Sequence, residues 1–184
     1  QSVLWNPDDN YGTPFLANAQ NRALSPFTIP FYLLSSTYTA LLFSILLKST
    51  IAGFTAYYTA RKIGYSPSLA LLCATTFQLS HYLLSQPLDP TADALPWIPL
   101  LYLYAERLHL KQARYWPIGA IIIALMLLSG DWIATLCAIL TMTAYIIIHH
   151  LIHPHQPGLK IPLLAITASF TAAITLTAIQ WLPH

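Results

Sequence analysis

Four carboxylates stand where they could do chemistry. Asp8 and Asp9 are adjacent in the polar opening stretch LWNPDDNYGTPFLANAQ, and Asp89 and Asp93 frame the segment DPTAD. A carboxylate can accept the proton of an attacking hydroxyl. It can also hold a hard divalent ion such as Mg²⁺ or Mn²⁺, which favours oxygen ligands and can steady a departing phosphate. Asp8 with Asp89 is the pair set out for such an ion. The simpler reading of Asn6-Pro7-Asp8-Asp9-Asn10 is a turn, with Asp and Asn bonding their own backbone. Asp93 is placed to cap the helix that follows. Asp89 has no such simple role.

Lys48 is the sharpest single residue. It lies inside an apolar run, about 21 Å along a helix from Lys62. An ammonium at the centre of a bilayer costs at least about 2.5–3.5 kcal/mol, so it needs a cavity or a partner. It can hold a phosphate, or pair with an acid from a helix outside this chain. Arg22 is a second candidate phosphate ligand, as a bidentate donor, or else a contact to lipid headgroups. Asp131 follows Gly130 and opens an apolar run, so it is an N-cap candidate that can also line a cavity mouth. His81 is placed to hydrogen-bond in the same cavity. His149, His150, His153 and His155 suit a helix C-terminus electrostatically rather than a metal.

These residues must be positioned by apolar elements. The chain has 184 residues, 56% hydrophobic and 8% charged, against about 25% charged in soluble domains. That places it in the membrane class. Its net charge of +2 and the lack of a basic motif argue against nucleic acid. Cys73 and Cys137 both fall in apolar runs and read as small buried residues. A spanning helix needs about 20 apolar residues. Runs at 37–62, 67–84, 94–110, 115–129, 132–152 and 160–182 predict about six. The third contains Pro96 and Pro99, and the fourth would cover only about 22 Å. Such short or interrupted helices are tolerated around a cavity. Segment 25–36, with two prolines and several aromatics, reads as an interfacial stretch. Tyr57, Tyr58, Tyr102, Tyr104, Trp97, Trp116, Trp132 and Trp181 fall mostly near span ends, as in an aromatic belt.

The charges sort by side on this map. Arg61, Lys62, Arg107, Lys111, Arg114 and Lys160 share one side, which should be cytoplasmic. Glu106 joins them beside Arg107. Asp8, Asp9, Asp89, Asp93 and Asp131 share the other. The chain starts in mid-loop at Gln1 and stops at His184 just after an apolar run, so a longer polytopic parent is expected.

The order of several segments carries a resemblance. LWNP precedes Gly12-Thr13-Pro14, then Asn18-Ala19-Gln20, then Ser25-Pro26. IAGFTAYYTARKIGYS, ALPWIPLLYLYAERL, LLSGDWIATL and AIQWLP follow. This resembles the YfhO-type bacterial membrane proteins, relatives of the GT-C glycosyltransferases, over nearly the whole chain. The resemblance implies an inner-membrane enzyme that takes a sugar from a polyprenyl-phosphate carrier. The acceptor would be an envelope glycopolymer, lipid or protein outside the cytoplasm. It also implies acids in the first two outer loops. Two features depart from the pattern. The family's first-loop acid often lies upstream of the Trp-x-Pro segment, before Gln1 here. Its later His-Pro-Gln is replaced by Asp131-Trp132-Ile133.

The expectation is therefore an all-α, polytopic, GT-C-like transmembrane bundle. Residues 1–36 form an extracytoplasmic loop with an interfacial segment, and 37–184 a membrane domain truncated at both ends. Asp8, Asp9 and Asp89 are the catalytic candidates. Arg22, Lys48, Asp93, Asp131 and His81 are the substrate-binding ones. The rival readings are a transporter or flippase of a lipid-linked substrate and a non-catalytic membrane scaffold.

Overall fold

Helix boundaries follow the capping chemistry of the sequence. α2 (Thr37–Ile63) starts where the Ser36 hydroxyl accepts from the Thr39 amide, and ends at Gly64 in the left-handed conformation (φ 109°), which glycine adopts without a Cβ clash. α3 (Pro67–Gln78) follows at once, with Ser66 as cap and proline at its first position, where the missing N–H is no loss. α7 (Trp116–Leu127) and α8 (Trp132–Ile152) are joined through Gly130, at φ 86°. α9 spans Lys160–Leu176.

The computed structural model describes residues 5–6, 13–14, 21–34, 36–109, 113–152 and 159–178. Asp8 and Asp9 lie outside these. Apart from an antiparallel pairing of β1 (Trp5–Asn6) with β2 (Thr13–Pro14), the described elements are helical, so the all-α expectation holds. The predicted spans are only partly continuous. Residues 67–84 break at Leu79 and Ser80, giving α3 and the five-residue α4 (His81–Ser85). Residues 94–110 become α6 (Ile98–His109), preceded by α5 (Pro90–Ala94) and a tight turn at Leu95–Trp97. Two helices, α2 and α8, are long and apolar enough to cross a membrane, and α7 and α9 are shorter apolar helices.

The interrupted segment leaves backbone carbonyls to be satisfied, and α2 supplies the donors. The Ser49 hydroxyl donates to Gln78 O at 3.5 Å, Thr55 to Pro96 O at 2.7 Å and Thr59 to Pro99 O at 2.9 Å. The Lys48 ammonium donates to Pro87 O. Irregular backbone in an apolar setting is stable when it is buried and bonded in this way.

Along α2 small and polar side chains face inward, while many large apolar side chains of the bundle are exposed. The buried face of α2 is Ala40, Ser44, Lys48, Ala52, Gly53, Thr55, Ala56, Thr59 and Ala60. Leu46, Phe54, Leu72, Leu140, Leu151 and Leu164 are each at least 60% exposed. Small residues let helix backbones approach closely. Gly119 is the clearest case, because a Cβ there would fall inside the ring of Tyr104. The main core lies among α6, α7, α8 and α9. Cys73 and Cys137 correct the expectation of burial: both are exposed, on the outward apolar faces of α3 and α8. The short α1 (Ile29–Leu33) exposes Ile29, Phe31, Tyr32 and Leu33.

Candidate functional site

Asp89, Asp93 and Asp131 meet Arg22 and Lys48 around α5. Pro90 occupies the first position of that helix and Asp89 is its N-cap, accepting from the Thr91 amide at 2.8 Å. Asp93 then falls at the end of the first turn, facing inward and fully buried. This corrects the capping role expected of Asp93, which belongs to Asp89.

Asp93 is the hub of the buried cluster. One carboxylate oxygen accepts from Lys48 Nζ at 2.6 Å and lies 3.5 Å from Arg22 Nη1. The other accepts from Ser25 Oγ at 2.9 Å. Lys48 therefore pairs with an acid of this chain, not with one from an absent helix. Its ammonium also reaches Pro87 O and lies 5.9 Å from the Phe27 ring centroid. An ion pair this enclosed ties α2, α5 and the loop before α1 together. Removing one partner of such a pair typically costs about 3–5 kcal/mol.

The loop is built to deliver its two contributions. Arg22 is a non-glycine residue at φ 52°, a conformation that needs surrounding support. Its carbonyl accepts from the Ser25 amide and from the Thr28 hydroxyl, both at 2.9 Å. Ser44 on α2 fixes Phe27 through its carbonyl at 2.7 Å. The Arg22 side chain keeps 19% exposure, so it is the one cation of the cluster that still reaches outward.

A second, half-buried group sits beside the first. The Thr91 hydroxyl donates to Asp131, whose other oxygen accepts from the Ala134 amide at 2.9 Å. Asp131 thus caps α8, as its position after Gly130 suggested, and links α8 to α5. At Asp89, burial works to raise the pKa. The Thr91 amide, the Tyr82 hydroxyl and the positive charge of Arg22 outweigh it, and the carboxyl is held below the usual range. Asp89 is accordingly charged at neutral pH and a weaker base than an ordinary aspartate.

No protein-family model, curated protein or solved structure matches this chain. The chemistry therefore rests on the residues themselves.

The structure brings Arg22, Lys48, Asp89, Asp93 and Asp131 to one end of the bundle. It does not bring His81 there: that residue is exposed at the start of α4, with no hydrogen bond to the cluster among the described residues. Among the described residues no group of three or more potential metal ligands occurs. Asp89 uses one oxygen as a cap, and Asp8, its partner in the expected divalent-ion pair, lies outside the described residues. Thr91, Tyr82 and the Pro87 carbonyl were not singled out from the sequence, and Ser25 entered only as part of the Ser25-Pro26 segment. Serine, threonine and tyrosine are too common in apolar chains to stand out, and a carbonyl has no sequence signature.

The opposite end is basic. Lys62 and Arg107 line one cavity with Tyr115, next to Arg114. Glu106 is not Arg107's partner there: it accepts from the Tyr145 hydroxyl of α8 at 2.7 Å.

Proposed function

We propose that this chain is part of a multi-pass bacterial inner-membrane glycosyltransferase of GT-C type. The donor is a sugar on a polyprenyl phosphate, and the acceptor is an envelope glycopolymer, lipid or protein outside the cytoplasm. The observation that carries the reading is the gathering of Arg22, Asp89 and Asp131 at the acidic end of a helical bundle whose outer surface is largely apolar. The order of the sequence segments supports it as well. The many large apolar side chains facing outward, with a small and polar buried face along α2, favour a lipid surrounding.

In this reading the acidic end and residues 1–36 are extracytoplasmic. A carboxylate of the outer loops takes the acceptor's hydroxyl proton, and that oxygen attacks the anomeric carbon. The bond from that carbon to the phosphate oxygen breaks, and the polyprenyl phosphate leaves with its negative charge. Arg22 is placed to hold that phosphate, because its guanidinium keeps outward exposure and can act as a bidentate donor. Lys48 and Asp93 are mutually neutralised and buried, and they hold the loop that presents Arg22. Asp93 lies 3.5 Å from the Arg22 guanidinium and holds it in place, while Asp89 adds a negative charge nearby. Asp8 and Asp9, in the opening loop, are the candidate proton acceptors.

The test is transfer of labelled sugar from polyprenyl phosphate in membranes carrying the chain in its full-length parent. Asp8→Asn, Asp9→Asn, Asp89→Asn and Arg22→Gln are compared at equal protein level. Loss of a general base lowers the rate by about 10²–10⁴-fold, expected in at least one Asp8 or Asp9 variant. Full activity in all four sinks the site. Movement of labelled carrier across the bilayer without sugar transfer moves the assignment to a flippase.

A further inference from the structure

The basic end holds a cavity that the transfer chemistry does not use. It lies between α2, α6 and α7 with a volume of about 400 Å³. Its walls are apolar, including Leu103 on α6 and Ile118, Ile121 and Leu125 on α7, and Lys62 and Arg107 stand at one end. Trp97 lines it towards the other end, about 15 Å away along α6. Lys62 lies 5.4 Å from the Tyr58 ring centroid. Neither Lys62 nor Arg107 is paired with a carboxylate among the described residues. The nearby acid, Glu106, is engaged by Tyr145.

Two features of this groove select its occupant. An apolar slot with two unpaired cations at one end complements an amphiphile with an anionic head. A volume of about 400 Å³ suits hydrocarbon chain. The basic end is also the end that faces the anionic cytoplasmic leaflet under the positive-inside rule.

We propose that the groove between α2, α6 and α7 is a binding site for one anionic phospholipid, its phosphate between Lys62 and Arg107 and one acyl chain along α6 and α7. The site rests on the reading that the bundle lies in a membrane, and not on the transferase chemistry. It is distinct from the acidic end, where Arg22 lies.

The experiment is native mass spectrometry of the intact chain in a non-ionic detergent, titrated separately with dioleoyl phosphatidylglycerol and dioleoyl phosphatidylcholine. One phosphatidylglycerol is expected to stay bound, about tenfold more tightly than phosphatidylcholine, since each basic residue adds a several-fold preference for anionic lipid. Lys62→Gln with Arg107→Gln should abolish that preference. Arg61→Gln with Lys160→Gln, which changes the same net charge at the same end outside the groove, should leave it intact. Equal loss in both pairs, or none in the first, overturns the site. Displacement of the lipid by millimolar inorganic phosphate overturns it too, by showing that the chain contributes nothing. An alkaline carbonate wash of the source membranes separates the underlying reading. A chain released by the wash overturns membrane residence and the site together. A chain retained without lipid preference overturns the site alone.

Discussion

At the acidic end of the bundle, both oxygens of the Asp93 carboxylate are engaged by Lys48, Arg22 and Ser25. At the basic end, Lys62 and Arg107 face an apolar slot and no carboxylate among the described residues. The same charge type is thus a structural tie at one end and an unspent attraction at the other. Burial decides which. Lys48 is 4% exposed, and a charge so enclosed must be paired. Lys62 is exposed, and water can solvate it until an anionic partner arrives.

The largest break in this comparison comes at Asp93. Asp93→Ala should lower stability by about 3–5 kcal/mol, because it leaves Lys48 buried without its anion. Lys48→Met combined with Asp93→Leu should recover much of that loss, since a hydrophobic pair of similar volume is often tolerated. Unfolding in mixed micelles with increasing sodium dodecyl sulfate measures both. A double variant as unstable as Asp93→Ala would mean that the network, not the uncompensated charge, carries the effect.

This pairing shows where sequence reasoning stops. The bounds of α8 were legible, because Gly130-Asp131 marks its start and an apolar run its body. α2 was legible for the same reason, with Gly64 ending it. That Lys48 needed a partner was also legible from its place in an apolar run. The identity of the partner was not, since Asp93 is distant in sequence and sits in a segment that reads as a helix start. The proline rule held the missed signal. Proline prefers the first helical position, so Pro90 makes Asp89 the cap and turns Asp93 inward by one helical turn. The break at Leu79 and Ser80 had no such marker. It depends on α2 offering hydroxyls and an ammonium to carbonyls far along the chain.

Next in size is a contrast between two glycines, which sharpens the packing side of the comparison. Gly119→Ala forces a methyl into the ring of Tyr104, and Tyr104 is held by Ser169 at 2.7 Å. Overpacking of this kind costs about 1–3 kcal/mol. At Gly53 the nearest obstacle is the end of the Gln78 side chain, which can move aside. Gly53→Ala should therefore cost little, with helix propensity favouring alanine by about 1 kcal/mol. The same unfolding assay ranks the two, and equal losses would mean that Tyr104 shifts as easily as Gln78.

Asp89 gives a smaller effect with a defined pH dependence. Asp89→Ala removes the cap of α5 and should cost about 1 kcal/mol at neutral pH. Asp89→Asn keeps a capping oxygen and should cost less. The folded-state pKa of Asp89 is depressed, against about 3.9 when unfolded. Its ionic contribution is therefore fully present above about pH 3.9 and is lost as pH falls through the lower folded value. Unfolding measured from pH 7 down to pH 2 should show a shallower acid slope for Asp89→Asn than for the parent. An identical slope would place the acid sensitivity at other carboxylates.

The smallest expected change is at the basic end, and its smallness is the point. Lys62→Gln and Arg107→Gln should each alter stability by no more than about 0.5 kcal/mol, the ordinary range for positions that keep access to solvent and lack a carboxylate partner. Their effect should fall on lipid retention instead. A loss of several kcal/mol from either would show a structural tie like that of Lys48, and the slot would then be a packing defect closed by those side chains. Near-silence in unfolding with loss of anionic lipid would mean that one end of the bundle spends its charge on the fold and the other keeps it for the membrane.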